Sequence, residues 1–254
     1  MKSQHWLARP KNLSDDGIHS DETARGLGFA GGFVPGVTLY AHVAAALLNQ
    51  GIDWLRTGSV AYRFRRPVYD GEEVQFTIDA EQPAFTIASP DGSDARSLGQ
   101  LEVNEPPPEV APAAPVTPVR APLGAQDQIG VPLQITAAIP PERAAAAIAA
   151  SGDYDWQENG RTLLPAGLWL NPINLLRTYY DSAVTIHYAG RVWHHSPVYL
   201  GETVIKRGHI TGFEERKGNQ IVSFVVAIET DGGRPVATVE HQSVYQLARA
   251  RGAG

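Results

Sequence analysis

Apolar positions along the chain follow two different rhythms. Over residues 36–50 they cover every side of a helical turn: Val37, Leu39, Tyr40, Val43, Ala44, Ala45, Ala46, Leu47 and Leu48. A helix that is apolar all round is a buried helix. Pro35 suits its first turn and Gly51 its end. Further on the rhythm changes. Val74, Phe76 and Ile78 alternate with polar neighbours, the pattern of a strand with one covered face. Strands are predicted over 59–66, 71–78, 83–89 and 97–103. One buried helix followed by antiparallel strands is an α+β arrangement.

The same order then returns. Residues 67–74 read PVYDGEEV and residues 197–204 read PVYLGETV, 130 positions apart. Val34-Pro35-Gly36 opens the first apolar helix, and Leu164-Pro165-Ala166 opens a second at the same spacing. Two matches in one register point to an internal duplication. Downstream, Asp91-Gly92 and Asp231-Gly232 each sit between strand-like runs, a hairpin signal. Their spacing has grown to 140, which places a longer loop at 212–219 in the second copy. That copy is expected to have its helix at 165–180 and strands at 185–196, 203–212, 220–230 and 234–247. Seven prolines in 104–122 exclude a helix or a central strand there, so the stretch reads as an extended connection. The chain is thus divided into a first unit at 1–103, a linker at 104–127 and a second unit at 128–254.

Composition narrows the function classes. The 254 residues are 43% hydrophobic and 19% charged, enough for a sizeable core. A net charge of -6 without a basic stripe argues against nucleic acid. There is no cysteine, which excludes disulfides, thiol nucleophiles and thiolate-bound metals. Residues 1–10 are polar and lack the apolar stretch of a signal peptide. The apolar run at 37–48 is too short to span a bilayer and contains His42. A soluble, cytoplasmic protein with no membrane association is expected. His194 and His195 are adjacent on a predicted strand and so face opposite ways, and no metal or other cofactor is expected.

Three segments in order carry a resemblance to a known family. They are IHSDETARGLGF at 18–29, FVPGV at 33–37 and FRRPVYDGEEV at 64–74. In this order they resemble the MaoC-like group of hot-dog proteins, which contains (R)-specific enoyl-CoA hydratases and acyl dehydratases. The resemblance implies a double hot-dog: two antiparallel sheets, each wrapped around a central buried helix, forming a pseudo-dimer within one chain. The family's hydratase motif runs Asp-x-Asn-Pro-Ile/Leu-His. Aligned on Ile18 and His19, its Asp falls on Ser14, its Asn on Asp16 and its Pro on Gly17, with Asp15 between. By resemblance His19 is the catalytic histidine and the Gly36 N–H is the oxyanion donor; with Ser14 at the motif's Asp position, Asp15 and Asp16 are the neighbouring candidates for a carboxylate beside the histidine.

Elementary chemistry fits those roles. Adding water to an α,β-unsaturated thioester needs a base for the water and stabilisation of the charge that develops on the thioester oxygen. Histidine, with an ordinary pKa of ~6.5, suits the first task. A helix N-terminus, with its unsatisfied N–H groups and positive dipole end, suits the second. At Gly36 the missing side chain leaves room for a substrate. Ser14, Tyr40, Trp169 and Asn171 are candidate substrate contacts. Arg65 and Arg66, beside Arg63, are candidates to meet the phosphates of coenzyme A or of an acyl carrier protein.

The second copy keeps the scaffold without this chemistry: Ala149 stands 130 residues after His19, and Ala166 after Gly36. One site per chain follows, in a monomeric pseudo-dimer or a homodimer. The expected reaction is hydration or dehydration across the 2,3 bond of an acyl thioester. Two other readings stay open, a hot-dog thioesterase and a non-catalytic acyl-CoA binding protein. No acidic residue lies within 37–50, where a thioesterase usually wants one.

Overall fold

A computed structural model describes residues 1–14, 17–110, 115–118, 120–182 and 184–248. Ten strands form one continuous sheet: β1 (Gln4–Ala8), β2 (Ser59–Phe64), β3 (Val74–Asp79), β4 (Ala84–Ala88), β5 (Ala95–Leu101), β6 (Leu133–Ala138), β7 (Ile186–His194), β8 (Thr203–Arg216), β9 (Asn219–Thr230) and β10 (Pro235–Gln246). Their spatial order is β1-β3-β4-β5-β2-β7-β10-β9-β8-β6. The second five strands repeat the order of the first five, turned end for end. The duplication inferred from PVYxGExV is therefore a duplication of topology. The two five-stranded halves meet where β2 pairs antiparallel with β7, from Ser59 opposite Trp193 to Arg63 opposite Ala189.

Six α-helices among the described residues accompany the sheet: α1 (Asp21–Gly26), α2 (Gly36–Asn49), α3 (Trp54–Thr57), α4 (Pro141–Ala150), α5 (Ala166–Trp169) and α6 (Ile173–Tyr179). The central one is α2, in which Val37 and every residue from Leu39 to Leu47 are buried. Inward-facing Val74, Phe76 and Ile78 of β3 join its apolar surface to one large core shared by both halves. The start of α5 packs against the start of α2, so the two central helices meet near their N-termini. Ser20 caps α1, its Oγ accepting from the Thr23 N–H at 3.2 Å.

The structure departs from the pattern-based expectations in three places. The edge strands β1 and β6 were not anticipated; each is short, and alternation over five or six residues is a weak signal. The helix expected over 165–180 is broken into α5 and α6 around Asn171-Pro172, because a proline lacks an N–H and its ring clashes with the preceding turn. The loop expected at 212–219 is instead the tip of a long hairpin. Strand β8 runs on to Arg216, and Lys217 and Gly218, with φ of 54° and 80°, make the two-residue turn into β9. This hairpin carries the second half of the molecule across to the site of the first.

Candidate active site

The site begins at the N-terminus of α2. The Val34 N–H donates to the Val68 carbonyl at 2.8 Å, tying the entry of the helix to the segment before β3. Pro35 occupies the N-cap position and offers no side-chain cap. The N–H groups of Gly36 and Val37 in the first turn have no acceptor within the helix, and they carry the positive end of its dipole. Gly36 is required by packing: a Cβ there would lie 2.5 Å from the ring of Phe64. The ring fills the space that the sequence reading assigned to substrate. Gly36→Ala is expected to destabilise the fold by about 1–3 kcal/mol through overpacking. Adding Phe64→Leu should recover most of that loss in thermal unfolding. An unchanged melting temperature for Gly36→Ala alone would show that the ring moves away without cost.

His19 closes a short 3₁₀ turn, Gly17–His19, just before α1. Its Nδ1 lies 2.6 Å from the Phe33 carbonyl oxygen. A carbonyl only accepts, so Nδ1 carries a proton. The ring also stands edge-on to Phe33 at 5.7 Å between centroids. Backbone contacts fix the rest of the residue. Asn12 Nδ2 donates to the His19 carbonyl at 2.7 Å, and a Cβ at Gly32 would come within 2.2 Å of that same oxygen. Gly32 in turn donates its N–H to Asp21 Oδ1 at 2.8 Å, which holds the Asp21 carboxyl below its usual range. The segment wrapped around His19 is the one that leads into Gly36.

Two cavities adjoin His19. The first, of about 480 Å³, is lined by Gly36, Val37, Phe64, Asn171 and His187 together with His19. Arg63, Arg65, Arg66, Arg216 and Lys217 also line it. The second, of about 560 Å³, includes Ser14, Thr38, Arg143, Asn171 and Arg177. Ile18, His19, Pro35, Val37, Asn171, Ile173 and Thr185 border both. Volumes of this size suit a small-molecule ligand.

Of the residues singled out from sequence, His19, Gly36, Asn171, Arg65 and Arg66 come together on the first cavity, and Ser14 lies on the second. Asp15 and Asp16 lie outside the described residues. Tyr40 and Trp169 are corrections: neither borders either cavity. Tyr40 is 1% exposed, and its hydroxyl accepts from Trp54 Nε1 and donates to His194 Nε2, both at 2.7 Å. Trp169 is fully buried and donates Nε1–H to the Leu164 carbonyl at 3.2 Å. An all-round apolar helix gives no clue to which of its faces meets a cavity, and both rings face the core.

No known protein-family profile matches the chain, and no curated protein sequence matches it. Solved structures do. A Mycobacterium tuberculosis protein described as essential for bacterial survival during infection and as having a double hot-dog fold is 16% identical, with 96% of each chain covered and a TM-score of 0.62. The fold is a double hot-dog. Its similarity extends to a protein described as a MaoC-like dehydratase, 14% identical over 96% of this chain and 98% of the other, at a TM-score of 0.60. It extends also to a putative MaoC domain dehydratase from Chloroflexus aurantiacus, 13% identical over 96% and 95% of the chains, at 0.58.

Sequence reasoning missed several parts of this double hot-dog's site. Phe64 and His187 lie where β2 and β7 join, with ring centroids 4.8 Å apart. Burial pushes the His187 imidazole down to about 3, and its Nε2 has no hydrogen-bond partner among the described residues. Arg216 and Lys217 reach the cavity from the tip of the β8–β9 hairpin. Arg216 donates to the Tyr188 hydroxyl at 3.2 Å and pairs with Glu214 at 2.9 Å. The Lys-Gly turn was the available signal, hidden inside what looked like loop. Among the described residues no helix is long and apolar enough to cross a membrane, and none of their His, Asp and Glu side chains form a group of three or more that could hold a metal ion.

Proposed function

We propose that the chain is a hydratase or dehydratase of acyl thioesters, acting across the 2,3 bond. The observation that carries this reading is the meeting of His19, whose Nδ1 donates to the Phe33 carbonyl, with the uncapped α2 terminus on one cavity. Likeness to proteins described as MaoC dehydratases supports it.

The chemistry follows from those groups. His19 Nε2 takes a proton from water, and the water oxygen bonds to C3 of the enoyl thioester. The π electrons of the C2–C3 bond move toward the carbonyl, whose oxygen becomes negative. The Gly36 N–H, at the positive end of the helix dipole, donates to that oxygen. The His19 imidazolium then returns the proton to C2, which completes the addition of one water. Dehydration is the same path reversed.

Purified protein mixed with crotonyl-CoA is expected to bleach the absorbance of the conjugated thioester. Release of free CoA from saturated acyl-CoA would replace this reading with a thioesterase. Binding of crotonyl-CoA without turnover would leave an acyl-CoA binding protein.

The basic rim gives a separate check on the carrier. Arg65 and Lys217 are exposed and border the cavity, where a phosphate chain would emerge. Arg65→Glu and Lys217→Glu should each raise KM for crotonyl-CoA about three- to tenfold at low salt, with the effect shrinking as salt is added. Neither should change KM for crotonyl-pantetheine, which has no phosphates. Equal effects on both thioesters would remove the rim from carrier recognition.

A further inference from the structure

A lysine lies in the core of the second half. Lys206, on β8, is 2% exposed, between the inward-facing Val204 and Gly208. Its Nζ donates to the carbonyl oxygen of Asn171 at 2.5 Å. The pseudo-symmetry identifies what it replaces. In the first half the corresponding residue, 130 positions earlier, is Phe76, whose ring lies tilted against His42 of an unbroken α2 with centroids 5.2 Å apart. In the second half the partner of that pair is Pro172, and the helix is broken. The break leaves the Asn171 carbonyl without a helical donor, because the Leu175 N–H goes to Pro172 O at 3.0 Å instead. Lys206 supplies the missing donor.

The Asn171 side chain is fixed from a second direction. Its Oδ1 accepts the Ile173 N–H at 3.1 Å. With Oδ1 engaged there, the Nδ2 amide is the group left to act as a donor, and Asn171 borders both cavities beside His19. We propose that Lys206 is a positioning residue: it holds the Asn171 backbone at the helix break and so presents the Asn171 amide to a polar group of the bound acyl thioester. This inference rests on the thioester reading of the cavity. Burial lowers the Lys206 amine to about 7, as expected for a cation kept out of water for the sake of one carbonyl.

The test follows the Asn171 side-chain amide by ¹⁵N–¹H spectroscopy, identified by its loss in Asn171→Ala, with acetyl-CoA as the probe. In the wild type, acetyl-CoA should shift both the Asn171 amide and the Gly36 N–H. In Lys206→Met the Gly36 response should remain and the Asn171 response should vanish at the same acetyl-CoA concentration. KM for crotonyl-CoA should rise about tenfold with kcat within twofold, and Lys206→Met/Asn171→Ala should be no worse than Asn171→Ala alone. Met is apolar and its counterpart is Phe76, so the variant should fold. Three results overturn the inference: an unchanged Asn171 response in Lys206→Met, multiplied losses in the double variant, or a wild type in which Gly36 responds and Asn171 does not. Silence at both Gly36 and Asn171 in the wild type would instead overturn the thioester reading, and this inference with it.

Discussion

His19→Asn is expected to lower kcat for crotonyl-CoA hydration by 10²–10⁴, the usual contribution of a general base. Asparagine is the sharper choice over alanine. Its Nδ2 reaches the same point as the histidine Nδ1, so it can still donate to the Phe33 carbonyl and keep the loop that leads to Gly36 in place. What it lacks is the basic Nε2. His19→Ala removes both, so comparing the two variants separates proton transfer from support of the loop. Full loss in both, with circular dichroism unchanged, is the result that fits. If His19→Asn kept activity within tenfold of wild type, the base would have to be another group.

The second large effect is acid unfolding. Burial lowers His42 to about 4 and His187 and His194 to about 3, and it lowers His241 as well. His187 and His241 lie with ring centroids 3.9 Å apart, so a charge on one opposes a charge on the other. All four are neutral when folded, whereas each would titrate near ~6.5 in the unfolded chain. The unfolded state therefore binds more protons below that pH, and stability falls as pH drops. The stabilisation is fully present above ~6.5. Below it, each histidine costs about 1.4 kcal/mol per pH unit, and by pH ~5 the four together cost on the order of 8 kcal/mol. Typical domains have roughly 5–15 kcal/mol in total. A cooperative loss of far-ultraviolet dichroism is expected near pH ~5, and His187→Phe should move the midpoint lower. A chain still folded at pH ~3.5 would show that these rings find partners when protonated.

Much of this architecture could be read from spacing and periodicity. The 130-residue repeat predicted the duplicated unit, the all-round apolar run predicted the central helix, and the Asp-Gly pairs predicted two hairpins. His19 and Gly36 were singled out because the resembling segments contain them, and the structure puts both on one cavity. The misses have physical causes. Pairing of β2 with β7 joins residues more than 120 positions apart, and alternation within a strand says nothing about which strand lies beside it. Periodicity recognised the helix containing Asn171 and Pro172 but passed over the proline that breaks it. Lys206 interrupts an otherwise apolar inward face, and such a breach is visible in sequence once Phe76 is set opposite it.

The seam between β2 and β7 has a consequence beyond holding the sheet together. In a dimer of identical chains every substitution appears twice, and a change that helps one site must be tolerated at its mirror image. Here the mirror images are different residues of one polypeptide. Phe76 can keep a helix intact while Lys206 stabilises a broken one, and His19 can face a cavity while Ala149 sits in a helix. Dilution cannot part the two halves, because a peptide chain joins them, so the cavity they share should survive at concentrations where a two-chain counterpart would come apart.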